Sequence, residues 1–125
     1  VWEAMMFAHH YKLDNLCVII DNNGLQIDGD VAKVMDPYPI ADKLRAFGFA
    51  VAEIDGHDFD QIEAAFTLAR GTKGVPFAIV MKTVKGKGVS YMENNAGWHG
   101  KAPNDEEYEI AMKELSAQLA EVEGM

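Results

Sequence analysis

Three polar loops each follow a predicted buried strand, and together they offer oxygen ligands and two lysines. The loops span residues 21–29, 55–58 and 85–90. Because the carboxyl ends of parallel strands meet at one edge of a sheet, we expect the three loops to lie close together. Carboxamide and carbonyl oxygens are the ligands that hard cations prefer. The pattern therefore indicates a site for an anionic ligand held through a divalent cation, and residues 97–100 could fold back over it.

The elements that must position these loops are predicted from hydrophobic periodicity. Strands are expected at residues 16–21, 49–54 and 75–84, and helices at residues 1–12, 39–47, 59–70 and from 105 onward. The first strand has no polar alternation, so both of its faces should be buried. Residues 22–38 show no helical period and are expected to form a long loop. This alternation predicts an α/β fold with a doubly wound, mostly parallel sheet flanked by helices.

Two pairs of polar residues predict where helices begin. Asp58 with Gln61, and Asn104 with Glu107, have the spacing of a capping box. The buried faces of these two helices are expected to comprise Phe59, Ile62, Phe66 and Ala69 in the first and Tyr108, Met112, Leu115, Leu119 and Val122 in the second. Gly48 is expected to stop the preceding short helix, which should bury Ile40, Leu44 and Phe47.

Composition excludes several classes of protein. The chain has 125 residues, 49% of them hydrophobic, and a formal net charge of -9. This charge argues against a general binder of nucleic acid or of anionic membranes, since both need a basic surface. No apolar run approaches the roughly 20 residues that span a bilayer. The single cysteine, Cys17, lies in an apolar run and is interpreted as a small buried hydrophobe, which fits a cytoplasmic protein.

Other known motifs do not fit the sequence. No G-x-G-x-x-G follows the first predicted strand, and residues 85–88 are too short for a Walker loop. The histidines and the one cysteine lack the spacing of a zinc site. Ser90 has neither an adjacent base nor a nucleophile elbow around it. The residues alone therefore indicate an α/β domain with an edge that binds an anion and a metal.

Five segments of the chain resemble the transketolase family, in the family's order and with similar spacing. They are VWEA at residues 1–4, YKLDNL at 11–16, DNNGLQIDG at 21–29, TVKGKGVS at 83–90 and WHGKAP at 98–103. More narrowly, they resemble the N-terminal subunit of the split transketolases of bacteria and archaea. The resemblance implies a thiamine diphosphate-binding fold and transfer of a two-carbon ketol unit from a ketose phosphate to an aldose phosphate. Thiamine diphosphate and Mg²⁺, or Ca²⁺ or Mn²⁺ in its place, are the implied cofactors.

The resemblance also implies roles for particular residues. Asn23 would give a side-chain oxygen and Leu25 a backbone carbonyl to the metal, while Ile27 would line the apolar wall against the cofactor rings. His99 would approach the diphosphate and the substrate. Glu3 matches a glutamate near the subunit interface, in a carboxylate network that couples paired active sites.

For several residues a structural role remains an alternative. Glu3 could be an exposed helix charge. The lysines at positions 85 and 87 could contact a substrate phosphate or form a solvated basic turn. Asp28 could fix its loop by a side-chain hydrogen bond. His9 and His10 are expected to be packing or surface residues.

The family's Gly-Asp-Gly element, which should lie shortly before Val1, is not in this sequence. We therefore expect residues 1–125 to form the later part of an N-terminally truncated, incomplete PP-type binding domain that binds cofactor weakly alone. A pyrimidine-domain, C-terminal subunit would be its partner in a homo- or hetero-oligomer. Two alternatives remain: another ketol-type enzyme, such as a deoxyxylulose phosphate synthase or a dihydroxyacetone synthase, and a non-catalytic interaction subunit that keeps the fold.

Overall fold

The computed structural model describes residues 1–124 of the chain. Its helices are α1 (Trp2–His10), α2 (Val31–Val34), α3 (Ile40–Ala46), α4 (Phe59–Gly71) and α5 (Asp105–Glu123). Its strands are β1 (Cys17–Asn22), β2 (Leu25–Gln26), β3 (Gly29–Asp30), β4 (Ala50–Asp55) and β5 (Phe77–Lys82). A short 3-10 helix spans Ala96–Trp98. The chain divides into two compact units: unit 1 comprises residues 1–23 and 35–83, and unit 2 comprises residues 24–34 and the chain from residue 84.

Unit 1 is built on a three-stranded parallel sheet in the order β1-β5-β4. The central strand β5 is buried from Phe77 to Val80 because it has a strand on either side and helices on both faces. Ala78 and Val80 pack with residues of α1 and α3, whereas Phe77 and Ile79 pack with Ala65 and Ala69 of α4. The predicted doubly wound, parallel α/β arrangement is therefore confirmed.

Strand β1 differs from its prediction. Its apolar run predicts burial on both faces, but Ile19 is 46% exposed and the strand alternates between half-buried and exposed residues. Within residues 1–124, β1 is an edge strand that pairs with β5 alone. The prediction is wrong because Val18 and Ile20 pack against the cluster that includes residues of α1 and α3, whereas Ile19, on the opposite face, belongs to neither core cluster. A run of β-branched residues looks the same in sequence whether its strand is central or at an edge.

Helix α3 ends as predicted. Gly48 follows its last turn at φ +82°, a left-handed conformation that glycine adopts without steric cost. A Cβ at this position would lie 2.2 Å from Nδ1 of His9, so the close approach of the imidazole also requires glycine. Leu44 is buried, and Ile40 and Phe47 are partly buried against the same cluster.

Helix α4 begins as predicted, because the Asp58 carboxylate accepts hydrogen bonds from the backbone N–H groups of Asp60 and Gln61. Ala69 is buried, and Ile62 and Phe66 are half-buried. Phe59 is 85% exposed, so its predicted burial is wrong. It is the first residue of the helix, four residues beyond the end of β4, and it does not belong to the core cluster that includes Ala65, Phe66 and Ala69.

Unit 2 contains structure that periodicity misses. The predicted long loop includes β2 and β3, an antiparallel pair in which Leu25 faces Asp30, followed by the single turn of α2. Gly24, just before β2, and Gly29, at the start of β3, take positive φ values of 74° and 127°. Two-residue strands and a four-residue helix are too short to show a period, so this part of the loop prediction is wrong.

Helix α5 has the predicted capping box: Asn104 and Glu107 exchange side-chain to backbone hydrogen bonds of 2.8 Å. The predicted burial of its apolar face is wrong, since those five residues are 42–69% exposed and Ala111 alone is buried in α5. Periodicity shows which residues share a face, but burial needs a second surface against that face. No helix within residues 1–124 is both long enough and apolar enough to cross a membrane.

Candidate functional site

The three strands of unit 1 end together at one edge of the sheet. In the parallel register Asn22 lies beside Lys82, and Lys82 lies beside Asp55. Strand pairing thus brings the starts of the three predicted loops to the same edge. The first and third loops continue into unit 2, whereas the second, residues 55–58, stays in unit 1.

Thr83 fixes the end of β1 against the end of β5. Its hydroxyl donates a hydrogen bond to the Asp21 carboxylate, and its backbone N–H donates to the Asn22 carbonyl at 3.3 Å. Gly56 closes in from the other side: its N–H donates to the Lys82 carbonyl at 2.8 Å. A Cβ on Gly56 would lie 2.5 Å from Cγ2 of Thr83, so this close approach requires glycine.

A tyrosine outside the sheet holds the residue before Asn23. The Tyr38 hydroxyl donates to the side-chain oxygen of Asn22 at 2.9 Å. The segment that carries Tyr38 is fixed in turn, because the Lys43 ammonium donates to the carbonyls of Pro37 at 2.7 Å and Tyr38 at 3.1 Å. Sequence reasoning missed both residues. They lie 16 residues or more beyond Asn22 in the chain, and no local pattern connects them.

Asn23 and Leu25 are both half-buried, on either side of Gly24, whose φ of +74° makes a turn. Asn23 is the last residue of the first segment of unit 1, and Leu25 lies in β2 of unit 2. Their donors, an amide oxygen and a backbone carbonyl, are of the neutral oxygen type that Mg²⁺ accepts. Residues 1–124 contain no cluster of three His, Cys, Asp or Glu side chains that could hold a metal. Each of the two residues thus offers, within its own unit, one oxygen of a type that a divalent cation accepts.

The other predicted site residues are exposed. Glu3 lies in the first turn of α1 in unit 1. Ile27, which is 67% exposed, lies at the turn between β2 and β3 in unit 2. His99 follows the 3-10 helix of unit 2, and its backbone N–H donates to the Ala96 carbonyl at 2.9 Å. The structure thus places Glu3 and Asn23 in one unit and the remaining predicted residues in the other.

The basic loop at residues 85–90 is held by the side chains of two glutamates. Glu93 accepts the N–H of Gly88 at 3.0 Å and lies 3.8 Å from the Lys87 ammonium. From α5, Glu114 accepts the N–H of Ser90 at 2.8 Å and its hydroxyl at 2.5 Å. These two hydrogen bonds, the hydroxyl's first, lower the pKa of the Glu114 carboxyl. Sequence reasoning missed Glu114, which lies 24 residues beyond Ser90.

A second group of side chains surrounds the His99 segment. The Trp98 indole N–H donates to the Tyr91 carbonyl at 3.0 Å, and the Lys101 ammonium lies 4.0 Å from the Trp98 ring centroid. Lys101 also pairs with the Glu107 carboxylate at 3.0 Å. The pKa of Glu107 is lowered, mainly by the hydrogen bond from the Asn104 backbone and next by the one from the Lys101 side chain, because both favour the charged carboxylate. The capping box was predicted, but its connection to Trp98 was not.

Comparison with known proteins identifies the family. Residues 1–121 match the family model described as transketolase, thiamine diphosphate binding domain. The chain belongs to the transketolase family. Its structure superposes on the transketolase of Campylobacter jejuni with a TM-score of 0.81 at 33% sequence identity, over 90% of this chain and 17% of that chain. The predicted resemblance to transketolases is therefore confirmed, and so is the fold class.

Two curated relatives are parts of transketolases that are divided into subunits. The first, from Phocaeicola vulgatus, belongs to an apulose-4-phosphate transketolase; it is 42% identical over 123 residues, which is 98% of this chain and 44% of that protein. The second, the 6-deoxy-6-sulfo-D-fructose transketolase subunit SqwG of a Clostridium species, is 39% identical over 120 residues, again 44% of that protein. The chain thus spans less than half the length of these relatives, and both are named as transketolase subunits, which fits the predicted resemblance to a split transketolase.

Proposed function

We propose that the chain is part of a transketolase that transfers a two-carbon ketol unit from a ketose phosphate to an aldose phosphate. The observation that carries the proposal is the match of residues 1–121 to the transketolase thiamine diphosphate-binding domain. The names of two relatives specify different sugars, apulose 4-phosphate and 6-deoxy-6-sulfo-D-fructose. The proposed substrates are sugar phosphates, and the names of these relatives do not agree on one sugar.

In this proposal Asn23 and Leu25 hold a divalent cation, Mg²⁺ or in its place Ca²⁺ or Mn²⁺. The amide oxygen of Asn23 and the carbonyl oxygen of Leu25 are neutral donors, so they leave the charge of the cation available to diphosphate oxygens. Three contacts at Asp21 and Asn22 support the role of Asn23, because they fix the two residues that precede it. Thiamine diphosphate, when bound, supplies the carbanion chemistry, and the protein orients and polarises the reactants.

Two exposed residues of unit 2 are proposed to contact the cofactor or the substrate. Ile27 offers an exposed apolar side chain that can shield cofactor rings from water. His99 offers an imidazole that can donate a hydrogen bond to a diphosphate or substrate oxygen. Exposure of both side chains supports the proposal, since a residue that binds a ligand must be accessible within its own unit.

Glu3 is proposed to act at a subunit interface, and a pyrimidine-domain subunit is the proposed partner. Glu3 is exposed in the first turn of α1, where a carboxylate is also favoured by the helix dipole. The names of relatives as transketolase subunits support a divided enzyme. The assembled protein is proposed to act in carbohydrate metabolism in the cytoplasm.

Calorimetric titration of thiamine diphosphate with Mg²⁺ tests the proposal. The titration uses the full-length gene product that contains this chain, alone and together with the pyrimidine-domain subunit. We expect tight binding only for the two subunits together, and two-carbon transfer between sugar phosphates only for that assembly. Tight binding by the single subunit would contradict a divided site. Tight binding by the assembly without transfer activity would instead favour a non-catalytic subunit.

Substitution at the proposed metal ligand sharpens this test. Asn23→Ala should weaken Mg²⁺-dependent binding of thiamine diphosphate by about 10-fold or more, since loss of even an outer-shell partner costs this much. Asn15→Ala is the matched control, because Asn15 is an exposed asparagine before the opposite end of β1. Equal affinities for the two variants would show that Asn23 does not bind the metal.

A further inference from the structure

One interlocked group of side chains surrounds the segment that carries His99. The group, called here the α5 clamp, comprises Tyr91, Trp98, Lys101 and Glu107. We propose that the α5 clamp positions the His99 imidazole, with Glu107 as the positioning residue that acts through Lys101 and Trp98. The inference rests on the proposed function, because it takes His99 as a residue that contacts cofactor or substrate.

Trp98 is held by three contacts within unit 2. Its indole N–H donates to the Tyr91 carbonyl at 3.0 Å, and the two aromatic rings lie 5.0 Å apart, centroid to centroid. The Lys101 ammonium lies 4.0 Å from the indole centroid, within the range of a cation–π interaction. Trp98 directly precedes His99, so these contacts fix the backbone on the amino side of the histidine.

Glu107 joins both sides of the His99 segment to α5. Its carboxylate accepts a hydrogen bond from the Lys101 ammonium at 3.0 Å and another from the Asn104 backbone N–H at 2.8 Å. Its backbone carbonyl accepts the Tyr91 hydroxyl at 2.7 Å. Tyr91 contacts Trp98, and Lys101 lies two residues after His99. Glu107 therefore fixes the backbone before and after the histidine without touching the histidine itself.

This arrangement explains how an exposed histidine can have a defined position. His99 belongs to no helix or strand, and its neighbour Gly100 takes a left-handed φ of +82°. A segment of this kind loses conformational freedom when its side chain binds a ligand, and that loss weakens binding. The α5 clamp reduces the loss by ordering the backbone beforehand. It also engages the Lys101 charge, which assigns Lys101 to positioning and not to direct capture of a substrate phosphate.

The test compares Glu107→Gln with Glu106→Gln in the assembled two-subunit enzyme. Both substitutions remove one negative charge from the first turn of α5, but Glu106 is exposed and takes no part in the clamp. We expect Glu107→Gln to lower kcat/KM for two-carbon transfer by about 10- to 100-fold, the range that small misplacements of a reacting group cause. Glu106→Gln should leave kcat/KM unchanged.

A double-mutant cycle with His99→Ala separates positioning from a merely structural role. If Glu107 acts through His99, Glu107→Gln should cost little further activity once His99→Ala has been made. An equal loss in both backgrounds would overturn the proposal, as would no loss in either. Glu107→Gln also releases Lys101 from its ion pair. If Lys101 bound substrate phosphate directly, this variant would have a lower or unchanged KM, and such a KM would contradict the proposal.

A readout that does not depend on activity distinguishes failure of this inference from failure of the proposed function. The ring Cε1–H resonance of His99, assigned by its absence in His99→Ala, should shift or broaden in Glu107→Gln and stay in place in Glu106→Gln. An unchanged resonance would overturn the inference even if the enzyme transfers ketol units. If the assembly has no transferase activity, the proposed function fails. The resonance then tests by itself whether Glu107 positions the His99 imidazole. Lys101→Met serves as the second variant if Glu107→Gln does not fold.

Discussion

The two regions that carry the proposed site residues are held in place by different forces. In unit 1, Asp21 and Asn22 belong to β1, and the backbone ladder with β5 fixes them before any side chain contributes. In unit 2, His99 lies outside every strand, and its segment depends on side chains of the α5 clamp. The first region is therefore positioned by main-chain pairing, and the second by a few charged and aromatic contacts.

This difference has consequences for how each region responds to change. Main-chain hydrogen bonds do not depend on residue identity or on the charge of a side chain, and they are lost only when strands separate. An ion pair and a cation–π contact at the surface are weakened by one substitution, by salt or by acid. The β1 edge should thus fail only when unit 1 unfolds, whereas the His99 segment should become disordered separately.

The largest expected effect comes from the central strand. Ile79 is 1% exposed in β5, so Ile79→Ala should lower the free energy of unfolding by about 2–5 kcal/mol, through lost burial and the cavity left behind. Urea denaturation measures the change. Ile19→Ala, on the half-exposed edge strand β1, is the control and should cost less than about 2 kcal/mol. Equal losses would show that the central and edge strands do not differ in packing as described.

A smaller effect is expected at the start of α5. Asn104→Ala removes the side-chain half of the capping box and should cost about 1 kcal/mol. Amide hydrogen exchange should become faster in the first turn of α5 and around Tyr91, while the amides of β5 stay protected. Faster exchange throughout β5 would contradict the separate response of the two regions. Asn15→Ala, at an exposed position of unit 1, should leave the exchange in α5 unchanged.

A still smaller loss of stability is expected on substitution of the tyrosine at the β1 edge. Tyr38→Phe removes the hydroxyl that donates to Asn22 and should cost no more than about 1 kcal/mol, the usual value of one hydrogen bond. Denaturation curves of this variant and of Tyr108→Phe, at an exposed tyrosine of α5, provide the comparison. A loss of several kcal/mol would show that Tyr38, and not the strand ladder, holds the edge.

The smallest and most local effect is expected from acid. The pKa values of Glu107 and Glu114 are lowered in the folded chain by hydrogen bonds. Their stabilisation is therefore complete above the ordinary glutamate pKa of about 4.3 and is lost as the pH falls through the lower folded value. The Asp58 pKa is lowered too, so the start of α4 should respond in the same direction.

Spectra recorded during acid titration can follow these groups separately. Tyr91 and Trp98 resonances should change on acidification before those of Ile79, since the buried core within residues 1–124 contains no charged side chain. Glu106→Gln should not alter the titration at Trp98, whereas Glu107→Gln should remove it. Simultaneous loss of signals from β5 and Trp98 would contradict the comparison between the two regions.

Local signals predicted much of the fold. The capping residues Asp58 and Asn104, and the stop at Gly48, act through neighbours within a few positions, so their effects can be read from the sequence. The parallel sheet was also predictable, because strands alternate with helices along the chain. The identity of the family followed from ordered motifs spread over the whole sequence, and its match confirms that inference.

Burial was predicted less well, and for one reason. Ile19, Phe59 and the apolar face of α5 all have the side chains of buried residues, yet all are exposed in residues 1–124. Hydrophobicity states a preference for burial, whereas burial itself depends on whether another surface lies opposite. Ile19 and Phe59 belong to neither core cluster of residues 1–124, although Val18 and Ile20 of the same strand β1 pack against one of them, and this difference cannot be recognised from the residue alone.

The sequence by itself determined the alternation of the longer strands and helices, the starts of α4 and α5 and the end of α3, but it missed β2, β3 and α2. Its resemblance to a family supplied the residues proposed to bind cofactor and metal. Only the tertiary structure decided what holds those residues: Thr83 and Tyr38 beside Asn22, and Glu107 behind the His99 segment. The physical reason is the range of each interaction. Caps and turns involve residues a few positions apart, whereas these supporting contacts join residues separated by up to 62 positions, which meet only after the chain has folded.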